Sequence, residues 1–239
     1  MSTALITGAN RGIGLEFVRQ LSGARWKVLA TCRDPDAADA LRALAGKSGQ
    51  AIEVHALDAG EPKSISALSA LLGEQAIDLL VCNAAVLGLQ PALITGAQGR
   101  RIQDADDALW FDVFRTNAIG PLRVAAAFAP RVAASARRLM AFMSTRMSVA
   151  GENNSGGHYM YRSSKAALNV IVKNLSIELA ARGVTCIALH PGWVRTDMGG
   201  RGADISPEES VSRMLKILLD PKLPKQAQFL DYRGDTVPW

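Results

Sequence analysis

Tyr161 and Lys165 stand four residues apart in Tyr161-Arg162-Ser163-Ser164-Lys165, a spacing that puts two side chains on one helical face a turn apart. A phenol titrates near pH 10 and is a poor acid–base catalyst at neutral pH unless a nearby cation stabilises its phenolate. Lys165 is placed to lower that pKa, which makes the pair a candidate proton donor. Such a pair is common in ordinary amphipathic helices, so its meaning rests on its company. Ser144 closes the apolar run 138–144, and its hydroxyl is a candidate to bond a carbonyl oxygen and polarise it. Ser148 is a rival for that role; nearness to the strand end favours Ser144. Asn83 begins the turn Asn83-Ala84-Ala85, and Asn117 lies among apolar neighbours in Thr116-Asn117-Ala118-Ile119-Gly120, where an amide needs a partner. His190-Pro191-Gly192 follows another apolar run. His158, three residues before Tyr161, is either solvated or turned toward a ligand.

Thr7-Gly8-Ala9-Asn10-Arg11-Gly12-Ile13-Gly14 joins the first apolar run to an amphipathic stretch. Its glycines permit a tight turn, close approach of backbone to a phosphate, and close packing of helix on strand. The N–H groups and positive dipole end of the following helix suit a pyrophosphate. The spacing is G-x-x-x-G-x-G, and its place at the first strand-to-helix turn supports a dinucleotide site more than the glycines do. The second run ends Ala30-Thr31-Cys32-Arg33-Asp34, without the acid on its last residue that would accept from the ribose hydroxyls of NAD. Arg33 and Arg11 instead suit a 2′-phosphate, so NADP(H) is expected ahead of NAD(H). Asp34 is the neighbour that could neutralise Arg33.

The elements that must position these residues alternate along the chain. Strands are predicted at 3–7, 27–32, 51–57, 77–82, 138–144, 184–189 and 228–230. Helices are predicted at 12–22, 35–45, 62–72, 106–135, 159–182 and 207–219. Several strands are apolar on consecutive residues, as in a parallel sheet covered on both faces. The rhythm predicts one doubly wound α/β domain over 1–239, a mostly parallel seven-stranded sheet. Every candidate above then sits at the carboxyl edge, where such sheets bind ligands. Stretches 88–104 and 193–206 fall outside the rhythm; the second, with Gly199-Gly200 and Gly202, is expected to be mobile and to close as a lid.

At 239 residues, 49% hydrophobic and 21% charged, the chain has core enough for one large domain. The net charge of +5 comes from 27 scattered basic residues, with no basic stripe interleaved with aromatics, so no nucleic-acid partner is expected. No apolar run approaches the roughly 20 residues that cross a bilayer, and the start shows no signal-peptide pattern. Cys32, Cys82 and Cys186 lie in apolar runs and read as buried thiols of a cytoplasmic protein. No grouping has metal-site spacing.

The chain resembles the short-chain dehydrogenases/reductases along its whole length. The glycine motif, Asp58, Asn83-Ala84, Asn117, Ser144, Tyr161 with Lys165, and Pro191-Gly192 all stand where that family has its motifs. Gly156–Asn169 and His190–Gly200 are similar to its C-factor-like branch, related to the sniffer and carbonyl reductases. The resemblance implies roles that spacing does not give. Asp58 contacts adenine, Asn83 shapes the groove, and Asn117 holds a water in a proton relay with Lys165. Lys165 also grips the nicotinamide ribose, Thr196 takes the carboxamide, and Val194 belongs to the same cofactor-binding segment. One departure is Ala85, where the family usually has glycine.

These readings point to an NADPH-dependent oxidoreductase interconverting a carbonyl and an alcohol, with a small-molecule substrate, and to a homodimer or homotetramer joined through helices 106–135 and 159–182. The rival is an NADP(H)-binding signalling or regulatory protein with little turnover. A sugar-nucleotide epimerase shares the chemistry but resembles longer chains.

Overall fold

The computed structural model describes residues 1–88 and 106–239; the irregular stretch expected at 88–104 lies, from residue 89 onward, outside them. Seven strands, β1 (Thr3–Thr7), β2 (Lys27–Cys32), β3 (Ile52–Ala56), β4 (Leu79–Cys82), β5 (Leu139–Met143), β6 (Thr185–His190) and β7 (Gln228–Asp231), form one sheet in the order β3-β2-β1-β4-β5-β6-β7. Every neighbouring pair is parallel. Each predicted strand is present, within two residues at either end.

Alternating side chains of each strand feed two apolar layers, which is why the strands read as unbroken apolar runs. One layer joins Leu80, Met140, Phe142, Cys186 and Ala188 to helices α3 (Pro62–Leu72), α5 (Gly120–Ala133) and α6 (Tyr159–Glu178). The other joins Ile6, Val81, Ala141, Met143 and Leu189 to α1 (Gly12–Gly23), α2 (Asp39–Gly46) and α7 (Pro207–Leu219). The three cysteines are free and buried. Among the described residues no helix is long and apolar enough to cross a membrane.

Two expectations on the helices are corrected. The helix predicted from residue 35 starts at Asp39, because the Asp34 carboxylate accepts from the Asp36 and Ala37 N–H groups at 3.1 and 3.2 Å and holds a turn. The helix predicted over 106–135 is three pieces: α4 (Asp107–Phe114), a π-helical turn Arg115–Ile119, and α5. Within segment 193–206, hydrogen bonds join the two ends of the loop. Arg195 N–H donates to Ile205 O and Ile205 N–H to Trp193 O. The Trp193 indole reaches Gly199 O at 2.8 Å, and the Arg195 guanidinium takes the Ala203 and Asp204 carbonyls.

Candidate active site

The strand order reverses between β1 and β4, and the crevice at such a switch point is where doubly wound sheets bind ligands. Spatial order along that edge runs Asp58, Arg33, the glycine turn, Asn83, residues 144–148, then His190-Pro191-Gly192. The predicted residues are therefore laid out in one line.

At its centre the glycine turn is packed without room for side chains. A Cβ on Gly14 would stand 2.2 Å from Gly8 O and 2.6 Å from Asn83 Nδ2. Gly8, at φ +66°, would meet Ala84 Cα at 2.9 Å. Ala9 N–H donates to Thr31 O, tying the turn to β2. Asn83 Nδ2 donates to the Thr7 and Gly8 carbonyls at 3.0 and 3.1 Å, so Asn83 shapes the turn rather than projecting from it. Thr7, passed over in the sequence, accepts from both Asn83 and Ala84 N–H. Ala85 is not among the residues with positive φ, so it carries no left-handed strain.

Asn10 and Arg11 are exposed and Ile13 half-buried. Arg11 pairs with Asp197 at 2.6 Å, and the Thr196 methyl lies 3.3 Å from where a Gly12 Cβ would be. The loop after β6 thus rests on the glycine turn. Arg33 is exposed and has no ion-pair partner among the described residues; Asp34, committed to its turn, does not neutralise it. Asp58 accepts from Gly60 N–H at 2.8 Å. Val194 is buried and bridges to Ile205. Gly192, at φ +86°, could carry no Cβ, which would stand 2.7 Å from Ile205; the Pro191 carbonyl accepts from the Ser210 hydroxyl.

The acid–base group is assembled by α6. Lys165 is 2% exposed, and its ammonium donates to Met143 O, the last carbonyl of β5, at 2.7 Å. Tyr161 is half-buried, with Lys165 Nζ 6.0 Å from its ring centre. The Tyr161 hydroxyl has no hydrogen-bond partner among the described residues, so its proton is uncommitted. Burial pushes the phenol up to about 12 and the ammonium down to about 8. The expectation that Lys165 depresses the phenol is therefore not met in the free protein, since the ammonium is turned to a carbonyl and desolvation dominates.

Asn117 lies in the π-helical turn, fully buried. Its Oδ1 accepts from Val86 N–H and its Nδ2 donates to Val86 O, both at 2.8 Å, and also to Ser164 Oγ at 3.1 Å. Ser164 donates to Tyr161 O. The amide thus clamps the segment after β4 onto α6, which explains why a polar residue sits among apolar ones. The Ser144 hydroxyl, the favoured carbonyl-polarising group, donates to Asn169 Oδ1 at 2.6 Å. Asn169 Nδ2 donates to Ser148 Oγ at 2.8 Å. The sequence signal for Asn169 was a polar residue one turn past Lys165 on a buried face.

Toward β7 a cleft of about 260 Å³ is lined by Arg146, His190, Trp193, Asp204, Tyr232 and Arg233, among others. Burial, with Arg146 next in effect, pushes His190 down to about 4, so it is neutral. His158 is lowered by burial and by Arg162, and its Nδ1 is buried without a partner among the described residues.

A glycine turn, a fully buried lysine and a free phenol on one sheet edge match a family pattern, and residues 2–204 fit the model of the short chain dehydrogenases. The chain belongs to that family. Its C-factor-like character is borne out by the C-signal of Myxococcus xanthus, 41% identical over 165 residues that span 68% of this chain and 93% of that one. The carbonyl reductase Sniffer of D. melanogaster superposes with a TM-score of 0.87 at 28% identity, covering all of both chains. An NADPH-bound carbonyl reductase from chicken fatty liver superposes with a TM-score of 0.87 at 33% identity, covering 100% of this chain and 99% of that one.

Proposed function

We propose that this oxidoreductase is an NADPH-dependent carbonyl reductase whose proton donor is Tyr161. The observation that carries the reading is the uncommitted Tyr161 hydroxyl, beside a buried Lys165 ammonium fixed on Met143 O, at the edge where the sheet binds ligands. The glycine turn suits a dinucleotide by its place at the first strand-to-helix turn and its close packing, a Cβ on Gly8 or Gly14 striking Ala84 or Gly8 O and Asn83. Gly8, Asn10, Arg11, Gly12, Ile13 and Gly14 would hold the pyrophosphate side. Asp58 takes the adenine, Arg33 with Arg11 the 2′-phosphate, and Asn83 and Ala84 the groove floor. Lys165, Pro191, Gly192, Val194 and Thr196 line the nicotinamide end. The bound cofactor supplies a hydride for the carbonyl carbon. Tyr161 gives its proton to the carbonyl oxygen and Lys165 steadies the phenolate left behind. The Asn117 side chain is bonded to Val86 on both its groups, and, as the family resemblance implies, Asn117 would hold a water that returns the proton through Lys165. An NADPH-bound reductase of the same fold supports the cofactor choice, as do the absence of an acid at the end of β2 and an Arg33 without an ion-pair partner among the described residues.

Tyr161→Phe removes one oxygen and should leave NADPH binding intact while kcat falls about 10²–10⁴-fold. Wild type should bind NADPH ahead of NADH, and Arg33→Ala should cost NADPH roughly one to two decades of affinity and NADH almost none. A folded, NADPH-binding Tyr161→Phe protein with near wild-type rates on its best ketone or aldehyde would sink the mechanism. The relative named C-signal favours one second reading, a nucleotide-binding signalling protein. Tight NADPH binding with no carbonyl turned over across a broad panel would establish it instead.

A further inference from the structure

We propose that the amino edge of the sheet, opposite the candidate active site, is a docking surface for an anionic membrane. The loops that lead into the strands at that edge, 24–26, 47–51, 73–78, 134–138, 179–184 and 220–227, carry seven basic residues and three acidic ones. That surplus of four is nearly all of the chain's net charge of +5. Scattered in the sequence, these cations are gathered on one face by the parallel topology. Four of them are arginines in a line. Arg25 adjoins Trp26, whose ring lies 5.4 Å from the Arg137 guanidinium. Arg138 follows, its Nη1 lying 3.0 Å from where a Gly183 Cβ would stand, next to Arg182. Lys47 extends the face at the β3 end, and Lys222 and Lys225 extend it at the β7 end.

Two features mark these cations as placed for a partner. None of the seven has an ion-pair partner among the described residues, whereas Arg19, Arg115, Arg146 and Arg213 are all paired. Two of the acids on the face are committed to backbone, Asp78 accepting from Thr3 N–H and Asp220 from Lys222 N–H, which leaves Glu74. The second feature is strain. Arg25 and Arg138 stand at φ +65° and +56°, in the left-handed region that favours glycine. Arg25 N–H donates to Ser22 O and Trp26 N–H to Leu21 O, a helix ending that ordinarily puts glycine where Arg25 is. Arginine there serves the surface rather than the turn. The negative ends of the helices point to this edge and favour cations, but only within the last turn. Neither α1 nor α6 has a basic residue in its last turn, and Arg25 and Arg182 lie beyond it.

Apolar side chains on the same face decide the partner. Met1 is 85% exposed and Leu71 69%. Met1 precedes β1, and Leu71 lies in the last turn of α3, which leads into β4, the strand beside β1. Both therefore stand between Arg25, before β2, and Arg137, before β5. Cations around protruding apolar side chains suit an anionic bilayer, whose headgroups meet the guanidiniums while its acyl boundary takes the apolar groups. A nucleic acid would leave Met1 and Leu71 in water. It would also find no ring to stack on, since Trp26 is buried with Arg137 over its ring. Docked in this way, the chain keeps its carboxyl edge, with the glycine turn and Tyr161, turned to the aqueous side.

The test is co-sedimentation of the full chain with vesicles of phosphatidylcholine, alone or with about 30 mol% phosphatidylserine. Wild type should bind the anionic vesicles only, and about 1 M salt, where the screening length is about 3 Å, should release it. Each cation near such a surface contributes about fivefold in affinity, so Arg25→Asn, Arg137→Gln and Arg182→Gln together should lose about 10²-fold. Leu71→Ser should lose about tenfold. All of these variants should keep wild-type thermal melting, and Arg25→Asn alone should melt no lower than wild type. Wild type that ignores anionic vesicles at low salt, or binds neutral ones equally, overturns the proposal. So does a folded triple variant that binds them like wild type. Duplex DNA bound more tightly than the anionic vesicles, with Leu71→Ser making no difference, overturns it in favour of a nucleic acid.

Discussion

Lys165 is the residue on which the site's electrostatics turn. A cation 2% exposed with one protein hydrogen bond is costly to keep, and burial lowers it to about 8 while raising its neighbour Tyr161 to about 12. Both shifts have the sign of desolvation, which disfavours whichever form carries charge. They leave the phenol protonated at neutral pH, the state a general acid for reduction must start from. They also make stability pH-dependent. The unfolded lysine titrates near 10.5 and the folded one near 8, so between these values the unfolded chain binds the extra proton and stability climbs with pH. Tyr161 acts in the opposite sense only above pH 10. Wild type should therefore gain about 2 kcal/mol on Lys165→Met between pH 8 and 10 in urea titrations, the comparison cancelling the other lysines and thiols. Parallel stability curves for the two proteins would mean that the ammonium is not held at that cost.

At the scale of elements, what was legible in the sequence is what repeats. Strands buried on both faces have consecutive apolar residues, and turns that need positive φ or close approach carry glycine, so the sheet, its edge and the glycine turn could all be read. What could not be read depends on where a side chain spends its hydrogen bonds. Ser144 could be placed at a strand end from the sequence, but its bond to Asn169 on α6 could not. The helix over 106–135 looked continuous because a π-helical turn adds no apolar break, only Asn117 and the clamp it makes on Val86. The glycines of segment 193–206 could be read, but not that Gly199 is there since a Cβ would strike Val194 O at 2.0 Å. That loop is fastened to the glycine turn by Arg11–Asp197, an exposed pair. Exposed pairs are worth about 0.2–1 kcal/mol, so a phosphate competing for Arg11 has little to displace. Asp197→Asn should accordingly tighten NADPH by up to about fivefold and leave NADH unaltered in fluorescence titrations. Weaker NADPH binding by this variant would show that Asp197 orients Arg11 for the cofactor rather than competing for it.

For the molecule as a whole, the helical layer of α4, α5 and α6 exposes several large apolar side chains among its charged ones. Phe111 on α4 is 70% exposed, Leu122 on α5 37%, and Val170 and Ile177 on α6 62% and 63%. Val170 and Ile177 are seven residues apart, two turns along one helical face, and α4 and α5 both contact α6. An apolar patch on a soluble protein commonly marks an interaction surface, and a self-complementary face is what a two-fold dimer requires. Neither Val170 nor Ile177 belongs to the Tyr161–Lys165–Asn169 stripe on the other side of α6. Introducing charge there should break assembly and spare the site. Wild type is expected to sediment as a dimer or tetramer, and Val170→Glu with Ile177→Glu as a smaller species that still binds NADPH. A wild-type protein that sediments as a monomer at tens of micromolar would show that this face stays in water, and the exposed Phe111 and α6 residues would then need a different partner.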